Sequence, residues 1–358
     1  MAWTERFVDA AAVGGGTGTS AGDPWTLDEA LSNSAAGMRV NFKAGSYVKN
    51  TLFTGFLGGT AASPVWWRGY KTTIGDLDDI FTEQKVDGSD LPLVTVTGQY
   101  INEKSGNFNL SSMSFVGQST GRPAIYLSGT HCRIWNCKFV YDLTSGGTVG
   151  CIRTESDQSF TNCLFQNKTG SSQSVVTTIG FSNAFNYCKF TGANCHAFSG
   201  SIYGGFTNCI FDDLGYGLSL TGRHGSVTNC TFNNITSDAI TISAGAESAI
   251  TFNYFANVTG NAITSSASLS TALIQGNIFQ NVGSQLNNIF ENLQVSQDTD
   301  ASDKFIDSAS GDFTLDASSN GYSNEISIRG AGANTYRDIG AIQHAEPSGG
   351  GNVIVIED

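Results

Sequence analysis

The sequence has few charged residues, few prolines and no long apolar run. Charged residues make up 14% of its 358 positions, and there are 5 prolines. No apolar stretch approaches the roughly 18 residues from which a membrane-spanning helix is built. The 18 basic residues are outnumbered by 31 acidic ones, although binding of nucleic acid needs clustered lysine and arginine. We therefore expect neither a membrane nor nucleic acid as a partner.

A secretory signal is also missing from the start of the sequence. Residues 1–6 read Met-Ala-Trp-Thr-Glu-Arg, with no basic region followed by an apolar one. The shortage of charge does not indicate disorder, because 40% of the residues are hydrophobic. The 43 glycines indicate many tight turns, as in an all-β chain of short strands. We expect a folded protein that is made in a reducing cytoplasm.

What the sequence does contain is a recurring phrase that ends in phenylalanine. Its clearest form is Asn-Cys-x-Phe, at residues 136–139, 162–165, 208–211 and 229–232, with looser copies at 112–115, 187–190, 252–255 and 276–279. Subtraction of the residue numbers gives steps of 21 to 26 residues between consecutive phenylalanines. A period of this length is typical of a solenoid, in which each coil buries its core against its neighbours. We predict a single-domain, all-β parallel solenoid.

Alternation along a strand predicts which repeat residues face the core. Cys163 and Phe165 should point inward, while Asn162 and Leu164 point outward. Two residues after the phenylalanine, an Asn or Asp often follows. Such residues tolerate the left-handed αL conformation, so we expect a bend and a ladder of amides there. These residues are Asn167, Asp213, Asn234, Asn257 and Asn281.

Cysteine is frequent enough, at 8 residues, to raise the question of a disulfide framework. Five of the eight occupy the same position of the repeat, namely Cys137, Cys163, Cys188, Cys209 and Cys230. In a parallel stack they would lie about 4.8 Å apart with parallel side chains, a geometry that suits the disulfide dihedral poorly. We predict buried free thiols that act as small hydrophobic residues.

The chain before and after the repeats differs from it in pattern. Residues 1–47 are expected to form an N-terminal cap: a strand at 6–9, then a helix with Asp23 as N-cap and Pro24 as first helical residue. An apolar stripe of Leu27, Ala30 and Leu31 would let this helix cover the open end of the core. The solenoid should extend over 48–345 and be most regular at 111–285, followed by a Gly-rich linker and β-prone tail at 346–358.

These features resemble the right-handed parallel β-helix, pectate-lyase-like superfamily. The resemblance rests on the coils of 21 to 26 residues, the stacked phenylalanines, the asparagines at a repeated bend, the expected cap, and residues 311–315 and 338–343, which resemble closing coils. It implies the fold. It also implies two kinds of activity, because the superfamily includes enzymes that act on acidic or neutral polysaccharides and β-helices of bacteriophage virions and tailspikes, which are often trimeric.

A catalytic site on the pattern of such enzymes is incomplete in this sequence. Asp212 and Asp213 precede the sequence Gly222-Arg223-His224-Gly225, which resembles the Asp cluster and Gly-His-Gly of polygalacturonase-like members. Arg223 interrupts that motif, and the separation is only about half a coil. Glycosidases need two acids about 5 to 9.5 Å apart, and no column of outward acids recurs. We interpret Asp213 as a bend residue and His224 as a loop residue, and we predict no catalytic residue.

Metal and cofactor sites are not expected either. Asp76, Asp78 and Asp79 are close in sequence and offer a weak calcium candidate, but they resemble a solvated loop. The pairs His131-Cys132 and Cys195-His196 lack the spacing of a zinc site. Nothing else in the sequence has the pattern of a cofactor-binding motif.

Aromatic residues offer a candidate surface for carbohydrate. Trp66, Trp67 and Tyr70 lie close together and would stack on sugar rings if they were exposed. The alternative is that they fill the irregular coils of residues 48–110.

The C-terminal tail is a candidate for partner binding. Val353, Ile354, Val355 and Ile356 form an apolar, β-prone segment behind the linker at 347–351. Such a segment can add a strand to another chain's sheet edge, or fold back onto its own body.

Two functions are compatible with these patterns. The first is a non-catalytic virion structural protein of a bacteriophage, on the capsid surface or in the tail, that docks on other virion proteins and forms a homotrimer. The alternative is a polysaccharide depolymerase or lyase, or a carbohydrate-binding tailspike.

Overall fold

The computed structural model is a parallel β-solenoid with one short helix. It describes residues 2–55, 58–78, 88–97, 101–103, 106–118, 122–142, 150–155, 157–168, 174–178, 182–200, 204–221, 225–243, 248–269, 273–289, 294–297, 305–307 and 312–315. Within the solenoid, strands pair in parallel with the equivalent strands of adjacent coils, and these pairings define three sheets.

Sheet 1 begins at the N-terminal strand. Its strands are Thr4–Val8, Met38–Lys43, Val65–Tyr70, Phe108–Ser111, Cys132–Trp135, Gln158–Thr161, Ala184–Asn186, Gly205–Thr207, Ser226–Thr228, Ala249–Thr251 and the start of Leu273–Ile289.

Sheet 2 carries the repeat phenylalanines. Its strands are Gly45–Lys49, Pro92–Val96, Ser114–Gly117, Lys138–Tyr141, Leu164–Asn167, the first parts of Lys189–Gly200 and Ile210–Leu220, Thr231–Ile235, the first part of Tyr254–Leu269, the middle of Leu273–Ile289, and Gln294–Gln297.

Sheet 3 closes each coil. Its strands are Phe53–Gly55, Ile101–Glu103, Ile125–Leu127, Ile152–Thr154, Ser174–Thr178, Ile240–Ile242 and the last parts of Lys189–Gly200, Ile210–Leu220, Tyr254–Leu269 and Leu273–Ile289. A further pair, Phe305–Asp307 and Asp312–Leu315, is antiparallel.

The predicted phenylalanine column is confirmed. Each ring stacks on the ring of the next coil, with centroids 4.5 to 5.8 Å apart and planes within 13° of parallel. A second row of rings from sheet 1 meets the column edge-on; Phe160 and Phe165, for example, have centroids 5.6 Å apart. Such aromatic pairs contribute about 0.5–1.5 kcal/mol beyond the area that they bury. The column consists of Phe115, Phe139, Phe165, Phe190, Phe211, Phe232, Phe255 and Phe279, all fully buried.

The cysteine column is also confirmed, and asparagine continues it. All eight cysteines are free and buried. Each column thiol contacts a backbone carbonyl, as Cys209 Sγ does with the Phe185 oxygen of the preceding coil at 3.3 Å. In the last two coils Asn253 and Asn277 occupy this position and donate to carbonyls of the preceding coil, those of Val227 and Ile250, at 2.9 Å. The column therefore keeps a contact to the backbone while the side chain changes.

From Asn208 onward, each repeat turns twice through residues in the αL conformation. The second bend is where the sequence predicts it in these four repeats, with φ between 48° and 54° at Asp213, Asn234, Asn257 and Asn281. The predicted bend at Asn167 was wrong, because this residue is buried at the end of the strand Leu164–Asn167 and does not have a positive φ. The first bend lies at the Asn of the repeat phrase, which the sequence placed inside a strand. Asn162, for example, has φ 52°, and its amide donates to Asn136 Oδ1 at 2.6 Å. That expectation was wrong because αL tolerance, not strand alternation, selects Asn at this position.

The N-terminal helix is shorter than predicted. It spans Leu27–Asn33, with Leu27, Ala30 and Leu31 buried, and Thr26 rather than Asp23 is its N-cap. Thr26 and Glu29 form a capping box, which satisfies two amides that Asp23 does not bind. Asp23 instead accepts hydrogen bonds from Thr17. That the helix covers the end of the core stays a prediction, as do the domain boundaries at 47 and 345.

The C-terminal part of the chain is described only in short segments. The expected closing coil at 338–343 and the tail with Val353, Ile354, Val355 and Ile356 lie outside the described residues. Within the ranges given above, no helix is long and apolar enough to cross a membrane.

Candidate functional site

A groove follows the second bend through four successive coils. It has a volume of about 590 Å³. Because the corresponding residues of each coil stack, the groove is elongated along the solenoid axis. Its lining consists of Asp213, Asn234, Ile235, Thr236, Asn257, Val258, Thr259, Asn281, Val282 and Gly283.

The lining alternates exposed polar residues with aliphatic residues that face the core. Ile235 and Val258 belong to the buried core, and Val282 packs against it. Asn234 and Thr236, by contrast, are exposed. This alternation arises at the bend, where an αL residue turns its side chain outward and the next residue turns inward. The groove thus presents amides and hydroxyls, while Ile235 and Val258 anchor the bend in the core.

A directional ladder of amides runs beside the groove. Asn281 Nδ2 donates to Asn257 Oδ1 at 2.8 Å, and Asn257 Nδ2 donates to Asn233 Oδ1 at 3.1 Å. Asn233 Nδ2 in turn donates to Asp212 Oδ1 at 3.1 Å. All three amides point the same way, toward a carboxylate. A chain of aligned hydrogen bonds is cooperative and fixes the side-chain orientations before any ligand arrives.

The charge of the groove is small and of one sign. Asp213 is the one ionisable residue among the ten that line it. Cys195 lies close to Asp213 but is buried; burial, with a contribution from the Asp213 carboxylate, raises the pKa of this thiol to about 12. A thiol in that state is protonated at neutral pH and is a poor nucleophile.

The structure does not assemble a catalytic pair from the predicted acids. Asp213 is an exposed bend residue with φ 53°, in agreement with its interpretation from the sequence. Asp212 accepts the ladder hydrogen bond from Asn233. His224 lies outside the described residues. Within the described ranges, no three His, Cys, Asp or Glu side chains come together as a metal site.

The calcium candidate is occupied by the protein's own groups. Asp76 accepts hydrogen bonds from the backbone amides of Lys71, Thr72 and Thr73 at 2.7 to 2.9 Å. Asp78 forms an ion pair with Arg68. The Asp76 carboxylate thus closes the loop, and the Asp78 carboxylate binds a residue of sheet 1. Asp79 lies outside the described residues.

The two histidines of the zinc candidates lie on different coils. His131 shares a hydrogen bond with Thr130 at 3.0 Å. His196 stacks on Tyr216 with ring centroids 4.4 Å apart, and burial lowers the pKa of its imidazole.

Two of the three aromatic candidates for sugar stacking are buried, so that prediction was wrong for them. Trp67 is 0% exposed, and its Nε1 donates to Ser34 Oγ at 3.1 Å. Tyr70 is 6% exposed. Trp67 belongs to the core of the irregular early coils, which is the alternative that the sequence left open, whereas Tyr70 is buried outside that core cluster.

Trp66 is partly exposed but closely surrounded. The guanidinium groups of Arg39 and Arg68 lie 5.3 and 5.0 Å from its ring centroid. Trp3 and Trp135 pack against it at centroid distances of 5.9 and 5.4 Å. A sugar would have to displace one of these neighbours, so the groove is the better candidate site.

The sequence predicts the bend residues of the groove, but the groove itself was missed. Its signal is the repeat Asn234-Ile235-Thr236 and Asn257-Val258-Thr259, with Asn281-Val282-Gly283 one coil further on. A polar–aliphatic–polar triplet at the solenoid period places like groups above one another, so it could have predicted a polar furrow.

Comparison with known proteins identifies the fold. No protein-family model and no curated protein sequence matches the chain. Among solved structures, the pectate lyase Pel9A matches with a TM-score of 0.59 and 13% identity, over 95% of this chain and 96% of that one. A rhamnogalacturonan lyase matches with a TM-score of 0.52 and 13% identity, over 85% and 90% of the two chains.

A third match is the tailspike protein gp49 of Acinetobacter baumannii bacteriophage Fri1, a capsular polysaccharide depolymerase. Its TM-score is 0.42 and its identity 12%, over 83% of this chain and 62% of that one. A likeness at this score is too low to support an argument about function. The first two matches, together with the three parallel sheets, show that the chain has the right-handed parallel β-helix fold of the pectate-lyase-like proteins.

Proposed function

We propose that the chain is a non-catalytic, glycan-binding β-helix protein of a bacteriophage virion, and that its groove holds the glycan. The observation that carries the proposal is the groove itself, which lines four successive coils with amides, hydroxyls and one carboxylate. Sugars present hydroxyls at their edges, which can form hydrogen bonds with these polar groups. The two lyases of similar fold supply a precedent for carbohydrate on this scaffold.

Binding without cleavage is favoured by what the groove offers chemically. Hydrolysis by a pair of acids requires two carboxyl groups about 5 to 9.5 Å apart on either side of the bond. The lining supplies Asp213 alone. Asparagine and threonine at the other positions can orient a sugar but cannot exchange a proton with it at neutral pH.

Binding and cleavage are separated by one experiment. Purified protein is incubated with a panel of neutral and acidic glycans, with affinity measured by calorimetry, and with reducing ends and unsaturated-uronate absorbance followed over time. We expect binding and no new products. A double variant, Thr236→Val with Thr259→Val, should weaken binding, because it removes two hydroxyls and keeps their shape.

The matched control is Thr228→Val with Thr251→Val on sheet 1, which should leave the affinity unchanged. If products accumulate, the chain is a depolymerase or lyase and the non-catalytic proposal fails. If no glycan binds, the glycan-binding part fails.

The virion role and the homotrimer require a separate experiment. The stacked columns make a stiff rod, which suits a part that must hold its shape within a particle. Native mass spectrometry and crosslinking would be done on the protein with and without residues 347–358. A trimer, or a complex with another virion protein, that needs these residues supports the proposal. A monomer that binds no virion protein in either form contradicts it.

A further inference from the structure

The composition of the groove lining selects among glycans. We infer that the groove takes an uncharged glycan chain that lies parallel to the solenoid axis, and that it rejects polyanionic chains. This inference rests on the proposed glycan-binding function and makes it specific. Three features of the groove support it: the direction of its repeat, its charge and its amide ladder.

The direction follows from the repetition of the lining. Asn234 and Asn257 are equivalent residues of adjacent coils, as are Thr236 and Thr259. Adjacent strands in a sheet lie about 4.8 Å apart. This spacing is close to the length of one pyranose unit in an extended chain, so successive sugars can meet successive coils with the same contacts. A chain that crossed the axis would meet this repeat only once.

The charge of the lining disfavours an acidic sugar. None of the ten residues that line the groove is basic. A uronate would enter without a cation to pair with, and its carboxylate would lie near that of Asp213. An unpaired charge taken from water is costly, and a like charge nearby adds to the cost. The whole chain carries a net charge of −13, which repels a polyanion at longer range as well.

The amide ladder favours a neutral sugar. The amides of Asn257 and Asn281 each use one N–H within the ladder, which fixes their orientation. The second N–H of each is a neutral donor that matches a sugar hydroxyl.

The test compares matched pairs of oligosaccharides. Hexasaccharides of glucose, mannose and N-acetylglucosamine are set against their counterparts oxidised to the uronate at C6, and affinities are measured by calorimetry at low and at physiological salt. We expect at least one neutral hexasaccharide to bind, and its anionic counterpart to bind about tenfold more weakly or worse. Added salt should narrow this difference by screening.

Two variants examine the origin of the selectivity. Asp213→Asn places at this bend the residue that occupies it in the next three coils, so folding should be kept; the anionic counterpart should then gain affinity. Thr236→Lys should raise the affinity for the anionic hexasaccharide further, because the lysine supplies a cation that can pair with the carboxylates. The control Thr161→Lys adds the same charge on sheet 1, where Thr161 is exposed. It should leave the affinities for both hexasaccharides unchanged.

The outcomes distinguish this inference from the proposed function. Equal or tighter binding of the anionic members to the unaltered protein overturns the inference and leaves the proposed function standing. Equal gains from Thr236→Lys and Thr161→Lys also overturn it, because selectivity would then not reside in the groove. If no member of the panel binds, the proposed function and the inference fail together.

Discussion

The early and late coils of the solenoid are held together by different means. The five ion pairs whose partners are both described all join residues between 5 and 90. The interior of these early coils is also irregular: at the position of the phenylalanine column stand Tyr47 and Val94. From Phe115 onward, equivalent rings stack coil after coil.

This difference shows how register is set in a repetitive fold. A stack of identical residues gains similar energy if one coil slips past another, so repetition alone specifies position poorly. Unique partners do not tolerate such a slip. Trp67, packed against Phe42 with centroids 4.8 Å apart and bonded to Ser34, fits one place only. The early coils therefore define the register, and the late coils extend it.

The largest effect should come from breaking the repetitive stack at its middle. Phe165 stacks on Phe139 and Phe190 at 5.3 and 4.8 Å. Phe165→Ala should cost about 3–5 kcal/mol through lost burial and the cavity left behind. Because repeats are coupled to nearest neighbours, urea unfolding followed by hydrogen exchange should show the coils on the two sides separating into two transitions. Phe165→Leu is the control: it keeps most of the buried volume but loses the ring stacking, so it should cost less than Phe165→Ala. A single unshifted transition would contradict this expectation.

The next effect concerns the column in which asparagine replaces cysteine. Asn253 accepts from the Cys230 amide at 2.8 Å and donates to Val227 at 2.9 Å. Asn253→Ala leaves both groups buried without partners and should lower the free energy of unfolding by about 2 kcal/mol or more. Cys209→Ala should cost about 1 kcal/mol, since a thiol makes weaker bonds.

Asn253→Cys sharpens the same comparison. In the earlier coils a thiol meets the equivalent groups, as when the Cys209 amide donates to Cys230 Sγ at 3.5 Å. The cysteine variant should therefore recover part of the stability that the alanine variant loses, as measured by urea unfolding. Equal losses of stability in Asn253→Cys and Asn253→Ala would show that a thiol at this position does not replace the hydrogen bonds of the asparagine.

Acid should affect the early coils first. Burial alone would raise the pKa of Glu5, but hydrogen bonds from Arg39 and Asn41 outweigh it and hold the pKa below its ordinary value. For Asp9, burial is likewise outweighed by the amide of Ala11 and the side chain of Lys43, so its pKa is also lowered. A depressed folded pKa means that the stabilisation is present above the ordinary carboxyl pKa of about 4 and is lost as the pH falls below it.

Tryptophan fluorescence, with Trp3 and Trp66 near this network, should therefore change at a higher pH than hydrogen exchange in residues 205–258. Glu5→Gln should lower stability at neutral pH and weaken the acid dependence. If the fluorescence and the hydrogen exchange of the unaltered protein changed at the same pH, the expectation that acid affects the early coils first would be wrong.

The smallest expected effect is a gain in stability. Tyr187 has φ 54° and is 57% exposed at the first bend, where Asn stands in the neighbouring coils. Tyr187→Asn should stabilise the protein by about 1 kcal/mol, because Asn tolerates αL better and can join the amides of Asn162 and Asn208. The control, Tyr216→Asn, lies on an extended strand and loses its stacking on His196, so it should not stabilise. Thermal unfolding would measure both.

Periodicity made part of the fold predictable, and particular neighbours made the rest unpredictable. The inward Phe and Cys columns and the bends at Asn234, Asn257 and Asn281 follow from the period. The first bend was missed because Asn162 fits strand alternation equally well until its φ is known. The helix start was misplaced because Asp23-Pro24 and Thr26-x-x-Glu29 are both valid start signals, and only the packing of Leu27 selects between them.

The candidate site was likewise predictable only where its residues belong to the period of the repeat. Asp213 was correctly interpreted as a bend residue, because its place in the period outweighs its charge. The burial of Trp67 and Tyr70 could not be predicted from sequence, since it depends on the shape of coils that lack the repeat. The groove escaped notice because it belongs to no single motif. It arises where four bends lie above one another, which local sequence does not display.

The matching bends have a consequence for how such a chain can change over evolutionary time. Asn208 and Asn229 share the αL conformation, with φ of 53° and 54°, and their coils pair in one register. Loss of residues 209–229 would join one bend to its equivalent and shorten the rod by about 4.8 Å. The length of the solenoid can therefore change in steps of one coil. Duplication or deletion of a whole coil would fit the protein to a new distance, while the coils on either side keep their structure and spacing.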